Sequence, residues 1–349
     1  MVNDKNISRQ LIIKGNNRAY TVPVYGEKIN MAEHVYKEVD VYAHKITNEV
    51  IFYDKHTESK PKHHTLGIVK DTKVKQCKFT KGIKYDNPDD IFCLEADLIK
   101  IKNLKFDSGV NLWFTDEAYW HYLYEDLPVL KHFMTNNDPI VTSPLNSWQK
   151  ELLNYFGEIK NRIVEVPVPV TIEAKSFNFY TETDAGGGRN SEWANIFIRD
   201  YLKPSKTFVP TKKIYISRED ADVRKVTNEE TLIKNLKGKG FEIIFDMPSK
   251  SIQEKIDMFA ESKIVISVSG STLCHVHAMQ PDTVVIDSNH LTDSIQEFAF
   301  NNIGDSVGIK WYSILGTTME FSNPDRARRT LDKDLKIETK LVDKILEQV

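Results

Sequence analysis

From Pro210 onward the chain alternates short, nearly continuous apolar runs with segments whose apolar positions recur at three- and four-residue spacing. The runs at 213–217, 241–245, 264–268 and 283–287 predict strands covered on both faces, and the segments at 228–236, 252–261 and 273–278 predict the helices between them. That succession is the signature of an open parallel sheet. Thr227 with Glu230 and Ser251 with Glu254 have capping-box spacing at two helix starts, and Gly238 and Gly240 stand where a left-handed helix end is expected.

The first two hundred residues are less regular. Alternating runs at 39–42 and 50–53 predict strands in a β-rich segment over 1–100. The basic stretch 60–64, with Lys62, His63 and His64, reads as a solvated loop. Between 111 and 132 aromatics crowd the sequence, and Tyr119, Tyr122, Leu123, Asp126 and Leu127 recur at helical spacing. Strand, helix and strand follow at 139–141, 147–156 and 162–166, the start of an α/β layer. Three consecutive glycines, Gly186 to Gly188, predict a loop, with a helix from there to about 201 broken by Pro204. Arg189 on that loop reads first as a surface arginine and second as a contact closing over an anionic substrate. The expected division is a lobe over 1–205 and a second over 206–349, the last helix, 334–348, crossing back to the first lobe.

With 349 residues the chain has length for two cores. Lys and Arg number 47 against 50 Asp and Glu, so no global basic field exists to hold a phosphate polymer, and nucleic acid is not an expected partner. The first residues lack the apolar core of a signal peptide and no stretch has the roughly 20 apolar residues of a membrane span, so a soluble, cytoplasmic protein is expected. Cys77, Cys93 and Cys274 have neither zinc nor disulfide spacing and read as free thiols.

Open α/β sheets bind ligands at the carboxyl ends of their strands. After 213–217 come Arg218 and Arg224, with Asn228 and Glu229 at the next helix; two arginines at one strand end suit a diphosphate, because guanidinium presents paired donors and keeps its charge. After 264–268 come Ser269, Gly270, Ser271 and Thr272, a turn whose backbone N–H groups would sit at a helix start; a plain tight turn fits equally. Asp287 ends the fourth strand, either accepting from ribose hydroxyls or capping a turn. His275 and His277, two apart on a helix, do not face each other, so joint metal ligation is not expected; one is a candidate donor contact and the other packing. Asp220 and Asp222 form a D-x-D pair, the minor reading of which is metal binding.

The segment from IYISRED at 214–220 to VVID at 284–287 resembles glycosyltransferase family 61, the group of the plant β-1,2-xylosyltransferases and the EGF-domain O-GlcNAc transferase. The likeness rests on Ser217, Arg218, Arg224, Asn228, Glu229, Gln253 and Asp287, and more weakly on Tyr119, Trp120, His121 and Glu125. It departs at Ser269, where the family has His, and at His275, where it has Asn. The resemblance implies a GT-B fold, two Rossmann-like lobes facing a cleft, here with the extra β-rich segment. It also implies inverting transfer from a nucleotide sugar, a UDP-linked donor being expected, without metal or other cofactor. A glycan, polysaccharide or glycolipid is the expected acceptor, with which peripheral membrane association is compatible. Inversion needs one base: Glu125 is the first choice, with Asp116 and Asp126 behind it and His121 to orient the base or touch the donor. Trp113, Tyr119, Trp120 and Tyr122 read first as core and second as sugar platforms. The alternatives are a non-catalytic nucleotide-sugar or glycan binder, or another GT-B-like enzyme such as a polysaccharide pyruvyl transferase.

Overall fold

A computed structural model describes residues 7–14, 24–25, 38–44, 49–55, 62–64, 66–69, 76–79, 103–113, 115, 118–166, 170–174, 177–180, 192–290, 299–322 and 332–349. The chain divides into two compact units, Met1–Ala19 with His34–Gly186, and Tyr20–Glu33 with Gly187–Val349. Both are mixed α/β with parallel sheets.

In the first unit the main sheet runs in the order Ile163–Glu165, Ile140–Thr142, Val110–Trp113, Phe177–Tyr180, Leu66–Val69. The first four strands are parallel and the last is antiparallel. Counted along the chain, the parallel strands stand in the order 3-2-1-4, the plan of a mononucleotide-binding half. An antiparallel sheet of Ile7–Lys14, Glu38–His44, Glu49–Lys55 and Lys62–His64, and a smaller one of Gln76–Phe79, Val170–Glu173 and Asn103–Lys105, complete the unit. The expected strands at 39–42 and 50–53 lie within this antiparallel sheet. Lys62, His63 and His64 form its edge strand instead of a loop, since edge strands accept charge that a central strand would not.

The aromatic segment is a strand followed by a helix, where the spacing alone suggested a helix. Val110–Trp113 is buried strand; the helix starts at Tyr119 and changes winding three times, α over Tyr119–His121, π over Tyr122–Asp126 and 3-10 over Leu127–Val129, before α resumes at Leu130–Phe133. Pro128 supplies the cause: it has no N–H for the α ladder, and the N–H of Leu127 bonds five residues back to Tyr122 O. Trp113 is fully buried, its Nε1–H donating to Asp126 O at 2.9 Å, and its ring lies 5.7 Å from that of Tyr122. Both are core. A capping box between Asn146 and Gln149 opens Ser147–Leu153, which tightens to a 3-10 run where Gly157 has φ +56°.

The second unit carries a sheet in the order Glu242–Ile244, Lys212–Ile216, Ser262–Val268, Val284–His290, Lys310–Thr318, all parallel, with Leu335–Lys336 antiparallel at its far edge. Val24–Tyr25 also pairs in parallel with Lys310–Thr318, and counted from Lys212 onward the parallel strands run 2-1-3-4-5. Leu232 and Leu236 of Glu229–Lys237 and Val342 and Ile345 of Thr339–Leu346 pack with Tyr215, Ile266, Ile286 and Ile314 of the strands in one core. The last helix thus packs within this unit, and it begins at Thr339, because residues 332–337 run extended beside 224–228. Helix Glu192–Tyr201, assigned from sequence to the first lobe, lies in the second unit: Asn195 Nδ2 donates to Ser306 Oγ at 2.9 Å.

The capping box of Ser251 and Glu254 is present. The one expected of Thr227 and Glu230 is not; Asn228 is the N-cap, and its side chain bonds elsewhere. Gly240 has φ +80°, where only glycine is unstrained, whereas Gly238 remains right-handed helical.

Candidate functional site

In a sheet ordered 2-1-3-4-5 the connections leave in opposite directions between the first and third strands, which opens a crevice at their carboxyl ends. Those strands are Lys212–Ile216 and Ser262–Val268, and the residues that follow them are Ser217, Arg218 and Ser269, Gly270. The turns lie on neighbouring strands because the strands pair in parallel over Ile214 and Val265.

Arg218 and Arg224 converge on the second turn. A Cβ placed on Gly270 would stand 3.5 Å from Arg224 Nη1 and 3.6 Å from Arg218 Nη1. Arg224 Nη1 donates to Ser269 O at 2.7 Å, and Arg218 Nη2 donates to Val223 O at 2.6 Å. Burial lowers the Arg218 pKa, against which Asp220, Tyr215, Glu229 and Asp334 act to keep the charge. Arg218 Nε is buried with no hydrogen-bond partner among the described residues. Two guanidinium groups held against one glycine repel each other. An anion bound against both would offset that repulsion.

The arginines are held from behind. Glu229 Oε1 accepts from Arg218 N at 2.9 Å and from the buried hydroxyl of Tyr215 at 2.7 Å, so the first helical turn after the strand fixes the loop that carries Arg218. Arg224 has φ +57°, a left-handed conformation that costs a non-glycine residue about 1 kcal/mol. Its N–H bonds to Asp332 O at 3.2 Å. Ser217 is buried, its Oγ accepting from Glu219 N at 3.1 Å.

After Gly270 the chain forms a 3-10 helix, Ser271–Ala278, where an α-helix from 273 was expected. Ser271 is exposed and Thr272 half-buried at its start, beside the arginines. The other residues expected at the donor make contacts of their own. Asn228 spends its amide on the backbone of Ile337, donating to O at 2.8 Å and accepting from N at 3.0 Å. His275 is 2% exposed beside the Phe259 ring, and burial pushes its pKa well below the usual range, so it is a neutral core histidine. His277 is likewise buried, neutral with a pKa lowered to about 4, and its ring Nδ1 lies 2.9 Å from Cys274 O.

Asp287 does not end its strand, which runs on to His290. Its carboxylate is internal, accepting from Ser313 Oγ at 2.5 Å and Asn289 Nδ2 at 2.6 Å, and desolvation raises its pKa to about 6. It ties neighbouring strands. Asp220 and Asp222 are exposed, and among the described residues no three His, Cys, Asp or Glu side chains are grouped to share a metal ion. Tyr215 and Asp334, which support the arginines, were passed over in the sequence; one stands in an apolar strand and the other was read into the last helix.

In the first unit, His121 Nδ1 lies 2.7 Å from Glu125 Oε2 across the α-to-π junction. The Glu125 side chain is 9% exposed and that of His121 37%, so the pair has a buried carboxylate beneath a more open ring. A π turn inside a helix commonly marks a functional position, because it redirects side chains that an α turn would stack. Asp126 is buried in the same turn. Tyr119 and Trp120 are half-buried, Tyr119 with its ring 5.1 Å from that of Trp148. Asp116, Arg189 and the glycine loop lie outside the described residues, and Gln253 Nε2 bonds to Asp257 Oδ1 at 2.9 Å.

Among described residues no helix is long and apolar enough to cross a membrane. No curated protein matches the sequence. Among solved structures the chain is similar to the iron-containing dodecameric glycosyltransferase TibC of enterotoxigenic E. coli H10407, at 10% identity and a TM-score of 0.34, over 76% of this chain and 72% of that one. A structure of the heptosyltransferase TibC with ADP-D-beta-D-heptose is similar at 9% identity and a TM-score of 0.29, over 82% of this chain and 79% of that one. Residues 119–286 match the family described as Glycosyltransferase 61, a stretch that holds the His121–Glu125 pair and both arginines.

Proposed function

We propose that the chain is an inverting, metal-independent transferase that moves a sugar from a nucleotide-sugar donor, UDP-linked as the family resemblance implies, to a hydroxyl of a glycan, polysaccharide or glycolipid. The observation that carries the reading is the convergence of Arg218 and Arg224 on Gly270 at the strand ends where this sheet order opens its crevice. The donor's diphosphate takes the place between the guanidinium groups. Its negative charge grows as the bond to the anomeric carbon breaks, and two preset arginines stabilise that growth without a metal ion.

As that bond breaks, the acceptor oxygen bonds to the anomeric carbon from the opposite face and loses its proton to a base. Glu125 is the proposed base, oriented by His121. Ser271 and Thr272 contribute backbone N–H groups or hydroxyls to the phosphates. A GT-B plan is part of the proposal; the strand orders 3-2-1-4 and 2-1-3-4-5, each within its own unit, support it.

The test is calorimetric titration with nucleoside diphosphates and nucleotide sugars in EDTA, on wild type, Arg218→Ala and Arg224→Ala. Binding of one nucleoside diphosphate without metal, lost in both variants, is expected, and its base names the donor class. Binding that appears only with manganese would overturn the metal-free reading in favour of Asp220 and Asp222.

A further inference from the structure

The residues that hold Arg224 in place come from a part of the chain beyond the family match, which ends at 286. The segment 332–337 lies along 224–228 and bonds to it at every step: Arg224 N to Asp332 O at 3.2 Å, Leu335 N to Lys225 O at 2.9 Å, Thr227 N to Leu335 O at 2.9 Å, and the Asn228 amide to both backbone groups of Ile337. Within this run the side chain of Asp334 reaches the arginine loop. Asp334 Oδ1 accepts from Lys225 N at 2.8 Å, immediately after the left-handed residue. Its Oδ2 accepts from Ser322 N at 2.9 Å and from Ser322 Oγ, and its own carbonyl accepts from Met319 N at 2.7 Å. Asp334 is 3% exposed.

We propose that Asp334 is a positioning residue of the donor site, a latch that holds Arg224 in the left-handed conformation from which its guanidinium reaches Ser269 and Gly270. The inference rests on the donor reading above. A buried carboxylate so close to an anion site opposes anion binding through its charge alone, so its presence there calls for an offsetting role. The geometry supplies one: left-handed backbone at a non-glycine residue persists only where neighbouring bonds enforce it, and Asp334 bonds the very next N–H. Each carboxylate oxygen serves a different segment, so the loop is referenced to the turn after strand Lys310–Thr318.

The two roles give opposite signs, which makes the proposal testable with inorganic pyrophosphate, a probe independent of the nucleobase. The full chain is titrated calorimetrically as wild type, Asp334→Ala, Asp334→Asn, Arg224→Ala and the Asp334→Ala/Arg224→Ala double variant. A latch predicts that Asp334→Ala weakens pyrophosphate binding by roughly tenfold although a negative charge has been removed, and by less than about twofold once Arg224 is absent. Asp334→Asn keeps an acceptor for Lys225 N but turns an amide N–H2 toward Ser322 N, so it should bind pyrophosphate more tightly than Asp334→Ala, and binding as weak as that of Asp334→Ala would count against the latch. Tighter binding by Asp334→Ala would overturn the latch, as would an equal loss with and without Arg224, which marks general destabilisation. If Arg224→Ala weakens binding and Asp334→Ala does not, the latch fails and the donor reading stands. If wild type and Arg224→Ala bind alike or not at all, the donor reading fails and the latch with it.

Discussion

Arg224 donates from Nη1 to the carbonyl of Ser269 at 2.7 Å, joining the loop after the first strand of the second sheet to the turn after the third. The residue pays for that reach with φ +57°. Stability and binding therefore separate at this position. Arg224→Gly relieves the backbone strain while Arg224→Ala retains it, so the glycine variant should be the more stable of the two by about 1 kcal/mol in chemical denaturation, less the greater freedom of glycine in the unfolded chain. Both should lose nucleoside diphosphate binding equally in calorimetry. If the alanine variant is the more stable, φ at this residue is not the strain inferred.

Gly270 offers a cleaner test of where the anion sits. Its backbone is extended, φ 168°, so alanine fits without strain, and the added methyl would meet the two Nη1 atoms at 3.5 and 3.6 Å, ordinary contact distances. Gly270→Ala should leave the unfolding free energy within about 0.5 kcal/mol of wild type. The methyl would touch both guanidinium groups where the anion is proposed to sit, so diphosphate affinity should fall by roughly tenfold, about 1.4 kcal/mol. Unchanged affinity would move the anion away from this turn.

The sheet of the second unit was legible because buried parallel strands write continuous apolar runs, and its strand ends pointed to Arg218, Arg224 and Gly270. The side-chain partners that the sequence does not reveal have a common cause. Asn228, His275 and Asp287 were chosen for their position at strand ends or helix starts, but whether a polar side chain faces the crevice or the interior depends on partners distant in sequence: Ile337 for Asn228, Phe259 for His275 and Ser313 for Asp287. Tyr215 escaped notice because an aromatic in an apolar run reads as core, and only the fold shows its hydroxyl meeting Glu229. The π turn at Tyr122–Asp126 was hidden because helical spacing does not distinguish windings, although Pro128 marked the place.

Buried titrating groups set the response to acid. His132 and His277 have pKa values lowered to about 4 by burial, and His275 is also depressed. Between pH 4 and the unfolded value near 6.5 the unfolded chain binds more protons at these rings, so stability falls as the pH drops through that window. Asp287 works the other way. Its folded pKa, raised to about 6, lies above its unfolded value, so the folded state binds the proton first and gains stability as the pH falls below 6. The histidines outnumber it, and net acid destabilisation is expected. Asp287→Asn removes the opposing group, so denaturation midpoints should fall more steeply from pH 6.5 to 4.5 than in wild type, and a shallower dependence would contradict the assignment.

Glu125 and His121 make the sharpest demand on the proposed chemistry. Glu125→Gln keeps the size of the side chain and an oxygen within reach of His121 but cannot take a proton from an acceptor hydroxyl. A base that acts only in the transfer step leaves donor affinity alone, so calorimetric binding of the nucleoside diphosphate should match wild type within about twofold, while turnover measured as nucleotide release should drop by about 10² to 10⁴. His121→Asn, which removes the ring that orients the carboxylate 2.7 Å away, should cost turnover less than Glu125→Gln does and also leave diphosphate binding intact. Loss of donor affinity in either variant would assign the pair to donor binding, and unchanged turnover in Glu125→Gln would send the search for the base to Asp116 and Asp126, the other carboxylates of the same aromatic segment.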